Sequence, residues 1–167
     1  MRVNILTVSD RSARGEREDL SGPSLAEAVQ KLGWIVGETA TCPDVIEDIR
    51  GILTGWADSG AVDLILTTGG TGFAPRDVTP EATQGILDKL APGLAEAIRA
   101  EGVHTTPHAL LSRGVAGIRG RTIILNLPGN PKGVREALGV VAPVLPHAAA
   151  VLRGDESAEA GHRQPTG

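Results

Sequence analysis

Two rhythms of hydrophobic and polar positions run along this chain, and the switches between them mark its elements. Residues 3–8 (VNILTV) are mostly apolar and β-branched and stop at Ser9 and Asp10, which predicts a buried strand. Residues 12–21 are polar and read as a loop. Leu25, Val29 and Leu32 then recur at helical spacing, Ser24 with Glu27 fits a capping box, Gly22-Pro23 offers a competing start, and Gly33 is the stop. Residues 34–41 predict a second strand, and Pro43 is expected to open a helix whose apolar face carries Ile46, Ile49, Leu53 and Trp56. Residues 62–66 are a short, fully apolar strand. Thr79-Pro80-Glu81 reads as an N-cap, a proline at the first helical position and an acid on the positive helix end, predicting a helix over residues 79–90. A further helix is expected over 92–101 and an irregular stretch at 104–107. Residues 115–118 and 122–127 flank Gly120 and predict a β-hairpin. A last helix starts after Pro131, with Pro143 breaking it into two pieces.

Strands alternate with helices through most of the chain. That order predicts an α/β fold of three layers, α/β/α, with a mainly parallel sheet and a small β-hairpin. No repeat or linker divides the chain, so a single domain is expected over residues 1–154. Residues 155–167 are polar and aperiodic and are expected to form a flexible tail.

Composition narrows the function classes. With 2% aromatic residues the core must be built from Val, Ile, Leu and Ala, and stacking platforms for single-stranded nucleic acid are not expected. A formal charge of −4 argues against generic binding to a phosphate backbone. The single cysteine, Cys42, excludes an internal disulfide and a thiolate metal cluster and reads as a small buried residue. No run approaches the ~18 apolar residues of a membrane span, and MRVNILTVSD is too short in apolar length for a signal peptide. The expectation is a soluble cytoplasmic protein with neither nucleic acid nor membrane as partner.

Candidate chemistry lies where strands end. Ligands of open α/β sheets bind beyond the carboxyl ends of the strands, and three predicted strands run into unusual polar sequences: Ser9-Asp10, residues 67–72 (TTGGTG) and residues 126–132 (NLPGNPK). Glycines let a backbone approach a ligand closely and turn successive N–H groups toward an anion. The TTGGTG run is neither a Walker A loop nor GxGxxG, and by itself it fits a plain strand-to-helix turn as well as a ligand seat. Asp77 beside it is either a turn residue or a carboxylate for Mg2+ next to phosphates. Lys132 is one of only three lysines; it sits at the helix end less favourable for a cation, which suits a bound anion or a solvated side chain. Asp10, Asp19 and Asp44 read as loop acids or caps. His104 and His108 are spaced as metal ligands on a helix, but Pro107 interrupts them and no third ligand is near. Ser112-Arg113 lacks the partners of a hydrolase triad.

Taken in order, Ser9-Asp10, Asp19 with Gly22, TTGGTG at 67–72, DVTPEAT at 77–83, Ser112-Arg113 and NLPGNP at 126–131 resemble the molybdenum-cofactor biosynthesis proteins called MogA and MoaB, over residues 3–153. The resemblance implies an α/β fold that binds molybdopterin and adenylylates it with ATP and Mg2+, releasing pyrophosphate. It implies a homo-oligomer, a trimer or hexamer, and hand-over of product to a metal-insertion protein. On the matched positions it makes Asp77 and Asp44 the catalytic and Mg2+-binding aspartates. Ser9, Asp10, Thr68, Gly69, Gly70, Thr71, Gly72, Ser112, Asn126, Pro128, Gly129, Asn130 and Lys132 become substrate- and nucleotide-binding positions. The extra domains of larger proteins with a similar fold are missing from this sequence, which favours the adenylylation step over metal insertion. Two alternatives stay open: a non-catalytic molybdopterin carrier, and a nucleotide pyrophosphatase. Spacing does not say which loop takes ATP and which the pterin.

Overall fold

A computed structural model describes residues 1–155. One six-stranded sheet runs in the order β2-β1-β3-β6-β5-β4. β1 (Arg2–Val8), β2 (Ile35–Cys42), β3 (Leu64–Thr68) and β6 (Thr122–Leu127) are mutually parallel, while β5 (Ala116–Arg119) and the two-residue β4 (Lys89–Leu90) run antiparallel to their neighbours. Val8 pairs with Cys42, Thr7 with Thr68, and Thr68 with Leu127. The four parallel strands therefore end level, and their carboxyl ends form one edge.

Alternation along the strands builds two cores. Val3, Ile5, Leu64, Leu66, Ile123, Leu125 and Leu127 face the layer of α2 (Ser21–Lys31), α5 (Pro92–Thr105), α6 (Pro131–Val141) and α7 (Leu145–Arg153). Leu6, Val8, Ile65 and Ile124 face α3 (Ile46–Asp58) and α4 (Thr79–Gln84). This is the expected three-layer α/β/α arrangement. Aliphatic side chains fill both cores, joined in the second by Trp56 and Cys42, and truncating a fully buried one such as Leu66 or Leu125 to alanine should cost about 2–5 kcal/mol. The axes of α6 and α7 bend by 61° at the break around Pro143. No helix among the described residues is long and apolar enough to cross a membrane alone; the α6–α7 pair is apolar because Val134, Leu138, Val141 and Leu145 lie in the core.

Several local expectations change. A four-residue helix, α1 (Asp10–Ala13), occupies the start of the predicted polar loop. The Ser24/Glu27 capping box does not form, because α2 begins earlier: the Asp19 carboxylate accepts from the N–H groups of Ser21 and Gly22, while the Ser24 hydroxyl reaches Pro131 and Arg135. α3 starts at Ile46, not at Pro43. β3 absorbs Thr67 and Thr68, so the loop proper starts at Gly69. α4 ends at Gln84; Gly85 follows, its N–H bonded to the Glu81 carbonyl and its Cα against the Arg50 guanidinium of α3. Lys89 and Leu90, expected to be helical, form the edge strand β4 instead. α5 runs on to Thr105, and a 3-10 turn covers Pro107–Leu111. Of the expected flexible tail, residues 156–167 lie outside the described residues.

Candidate functional site

The glycine loop is packed against the ends of three strands. Thr68 Oγ1 donates to the Pro128 carbonyl at 2.6 Å, tying β3 to the end of β6. Gly69 has φ +99° and Gly70 φ +63°, a region that favours glycine. A Cβ at Gly69 would collide with the Val8 carbonyl, and one at Gly70 would lie 2.8 Å from Asp44 Oδ1. Gly129 presses on the same place, where its Cβ would be 3.1 Å from Gly69 Cα. Thr79 does not cap α4; its hydroxyl donates to Gly69 O (2.9 Å) and its N–H to Gly70 O (3.1 Å). The N–H groups of Gly70, Thr71 and Gly72 make no hydrogen bond among the described residues, so the loop offers a run of free donors.

Carboxylates flank this loop. Asp77 Oδ2 accepts from the Ala74 N–H at 2.9 Å, and a Cβ at Gly72 would lie 2.8 Å from the same oxygen. Asp44 follows β2 and Asp10 follows β1, and the two grip each other: Asp44 Oδ2 accepts from Asp10 N (2.8 Å) and Asp10 Oδ1 accepts from Asp44 N (3.1 Å). Arg76 donates to both Asp10 oxygens at 2.9 Å and holds that carboxyl below the usual aspartate range. Asp44 has the opposite fate. Burial pushes its pKa up, and the charges of Asp10 and Asp77 add to the effect.

A divalent cation would relieve this crowding. No group of three or more His, Cys, Asp or Glu able to hold a metal occurs among the described residues. Two carboxylates beside free N–H donors suit Mg2+, which takes one or two carboxylates and completes its shell with water and phosphate oxygens.

Two cavities meet at the loop. The larger, about 1190 Å³, lies between α5, the 3-10 turn and α6. The smaller, about 240 Å³, lies under the loops after β1 and β2. Gly69, Gly70, Asp77 and Gly129 line both. Thr71, Gly72, Ser112, Pro128, Asn130 and Lys132 face the larger one, and Ser9, Asp44 and Thr68 the smaller. Asn130 caps α6 by accepting from the Gly133 N–H (2.8 Å), and Ser9 caps α1 through the Ser12 N–H (3.2 Å). Lys132 Nζ lies 3.6 Å from Glu136, exposed at the start of α6.

The site residues read from the sequence thus gather at one edge, and all but Asp10 and Asn126 line one of the two cavities; Asp10 reaches the site through Asp44, whereas Asn126 turns away from it. Its side chain points into the core, donates to Thr67 and Thr83 at 2.9 Å each and accepts from the Val115 N–H. It lines neither cavity. The Asn126 amide is engaged inside the protein, away from both cavities. Cys42 is buried, with its thiol pushed up to about 12 by desolvation. His108 shares a hydrogen bond between its Nδ1 and the Thr106 hydroxyl at 3.2 Å. Sequence reading missed Arg113, which binds the main-chain oxygens of Gly72 (2.7 Å) and Asp77 (2.6 Å) and pairs with Glu81. The signal lay in the Ser112-Arg113 dipeptide, weighed only for its serine.

A parallel-stranded α/β domain with a glycine-lined, carboxylate-flanked double cavity matches a known family. Residues 4–147 fit the family model described as "Probable molybdopterin binding domain", and the chain belongs to that family. It is 38% identical over 157 residues to the molybdopterin adenylyltransferase of Helicobacter pylori, covering 92% of this chain and 88% of that protein. It is 43% identical over 160 residues to gephyrin of Dictyostelium discoideum, spanning 90% of this chain but only 22% of that much longer relative. Its backbone is similar to the crystal structure of the molybdopterin biosynthesis enzyme MoaB from Thermus thermophilus, with a TM-score of 0.87, 54% identity, and coverage of 92% and 97% of the two chains.

Proposed function

We propose that this chain adenylylates molybdopterin: the terminal phosphate of molybdopterin attacks the α-phosphate of ATP, the bond to the β-phosphate breaks, and adenylyl-molybdopterin and pyrophosphate leave. One observation carries the reading. Two cavities of unequal size meet at Gly69, Gly70, Asp77 and Gly129, so two ligands can present their phosphates to each other at one point. The likeness to molybdopterin adenylyltransferases over most of the chain supports it.

Such a transfer leaves little covalent chemistry to the protein; positioning and charge neutralisation dominate. The free N–H groups of Gly70, Thr71 and Gly72 cradle phosphate oxygens. Asp77 and Asp44 would hold Mg2+, which neutralises phosphate charge when bound. Lys132, Ser112, Pro128, Gly129 and Asn130 line the larger cavity, while Ser9, Thr68 and Asp44 line the smaller. Asp10 acts through its mutual grip on Asp44. We also propose that residues 1–154 form one domain and that the protein works in the cytoplasm as a homo-oligomer, a trimer or hexamer, that hands its product to a metal-insertion protein. Exposed Leu110 and Leu111 supply apolar surface for such contacts, and light scattering coupled to gel filtration would give the copy number.

The test is direct. Purified protein is incubated with ATP, Mg2+ and molybdopterin, and adenylyl-molybdopterin and pyrophosphate should appear in equal amounts. Absence of product from active substrate sinks the proposal. Tight pterin binding without turnover would point to a carrier, and release of AMP from a dinucleotide without pterin to a pyrophosphatase.

A further inference from the structure

We propose that Arg113 is the positioning residue of this site: one guanidinium, supplied from outside the loop, sets the geometry of the glycine loop and of Asp77 for phosphoryl chemistry. The inference rests on the adenylylation reading and deepens it.

The loop from Gly69 to Asp77 has few anchors of its own. After Gly70, which is tied to Thr79, the bonds within it are the short Asp77–Ala74 pair. Arg113 closes the gap. Its own N–H donates to Thr71 O (2.9 Å), its Nε to Gly72 O (2.7 Å) and one terminal nitrogen to Asp77 O (2.6 Å), while the other terminal nitrogen pairs with Glu81 at the start of α4. Both ends of the segment from Gly72 to Asp77 are thus fixed to one planar fork. A trans peptide points its N–H opposite to its carbonyl. Turning the carbonyls of Thr71 and Gly72 toward Arg113 therefore turns the N–H groups of Gly72 and Phe73 away from it, which leaves them free as donors. The same fork fixes the main chain of Asp77 and so the reach of its carboxylate.

The fork is held in turn by its neighbours. Gly114 lies against the Asn126 main chain, its carbonyl accepts from Arg99 (2.9 Å), and its N–H donates to Ser112 Oγ (3.4 Å). The guanidinium is not a substitute cation for substrate, because its donors are directed to the loop's carbonyls and to Glu81. A lysine keeps the charge at this position but cannot reach three acceptors in one plane.

Arg113→Lys and Arg113→Gln, each as full-length protein, decide the matter by two readouts. Amide hydrogen exchange should quicken roughly tenfold or more at Ala74, Asp77, Thr79 and residue 113, whose N–H groups are hydrogen-bonded in or onto the loop, and stay at the wild-type rate in β1, β3 and β6. kcat for adenylyl-molybdopterin should fall roughly 10- to 100-fold while KM for molybdopterin stays within about threefold, since misplacing the reacting groups by about 1 Å costs this much. Lysine should restore little of the loss. Wild-type exchange in the loop overturns the proposal, as does full turnover by Arg113→Lys. So does exchange that quickens uniformly across the sheet, which would make Arg113 a general stability residue. Wild-type protein that makes no product overturns the adenylylation reading instead, and loop exchange in the variants then still decides whether Arg113 holds the loop.

Discussion

Among the turns that use glycine at positive φ, the one at Gly120 and the one at Gly69-Gly70 differ in everything else. Gly120 closes the β5–β6 hairpin with φ +55°; a Cβ there would meet nothing within 4 Å, and its N–H is satisfied by Asp88 Oδ2 at 2.7 Å. Gly69 and Gly70 follow β3 with φ +99° and +63°, pressed between Val8, Gly129, Thr79 and Asp44, and the next N–H groups are free. Positive φ alone marks a turn. Positive φ together with close backbone packing and unused donors marks a seat for an anion. The first turn serves the fold, and the second gives up local hydrogen bonds to keep donors available.

Substitutions can break or sharpen this contrast. The largest effect belongs to Asp77→Asn, which should lower turnover by ~10²-fold or more, about 3 kcal/mol of transition-state stabilisation, with the fold intact. Unchanged turnover would remove Asp77 from its assigned role. Next comes stability at the two turns. Gly69→Ala places a Cβ on the Val8 carbonyl and should cost on the order of 3 kcal/mol, against about 1 kcal/mol for Gly120→Ala. Melting temperatures give the ratio, and equal losses would dissolve the distinction. Asn126→Ala lies between them. It strands two threonine hydroxyls and the Val115 N–H and should cost about 2 kcal/mol, while kcat at a permissive temperature stays within about threefold. A selective loss of kcat would return Asn126 to the ligand site.

The smallest effects are pH-dependent and have opposite signs at neighbouring acids. The folded pKa of Asp44 is raised, chiefly by burial, so its stabilising contribution is present at low pH and is lost as pH rises through the folded value. In metal-free buffer, Asp44→Asn should therefore gain melting temperature relative to the wild type as pH climbs above the ordinary 3.8 toward neutrality. Asp10 is lowered by its bond to Arg76, so its contribution is present above the ordinary value and is lost as pH falls through the folded one. Asp10→Asn should lose melting temperature relative to the wild type as pH rises toward the ordinary 3.8, with no further change above it. Differences that stay flat with pH would contradict both assignments.

Much of the fold could be read from the chain because its signals are local. The aliphatic runs of β1, β3 and β6 stop at polar loops, Gly120 marks the hairpin, and Pro143 breaks the last helix. The gathering of Ser9, Asp44, Gly69 and Gly129 at one edge follows from parallel strands that end level. What escaped reading depends on partners distant in sequence. Arg50 of α3 packs on the end of α4, against Gly85 and the Glu81 and Ala82 carbonyls. Asp19, held by the Thr7 hydroxyl at 2.6 Å, starts α2 three residues before the apparent cap. Asn126 closes the predicted strand 122–127, but its inward partners, Thr67 and Thr83, lie 59 and 43 residues away. Arg113 grips a loop 41 residues away and leaves no periodic trace.

The central claim is that the loop after β3 is where two ligands' phosphates meet. A crystal structure of the protein with Mg2+, molybdopterin and a non-hydrolysable ATP analogue tests it most directly. The account predicts phosphate oxygens within hydrogen-bond distance of the Gly70, Thr71 and Gly72 N–H groups, the metal between Asp44 and Asp77, and the pterin and nucleotide in separate cavities on either side of Gly69. Nucleotide phosphates bound away from this loop, with Asp44 and Asp77 touching neither metal nor ligand, would contradict it.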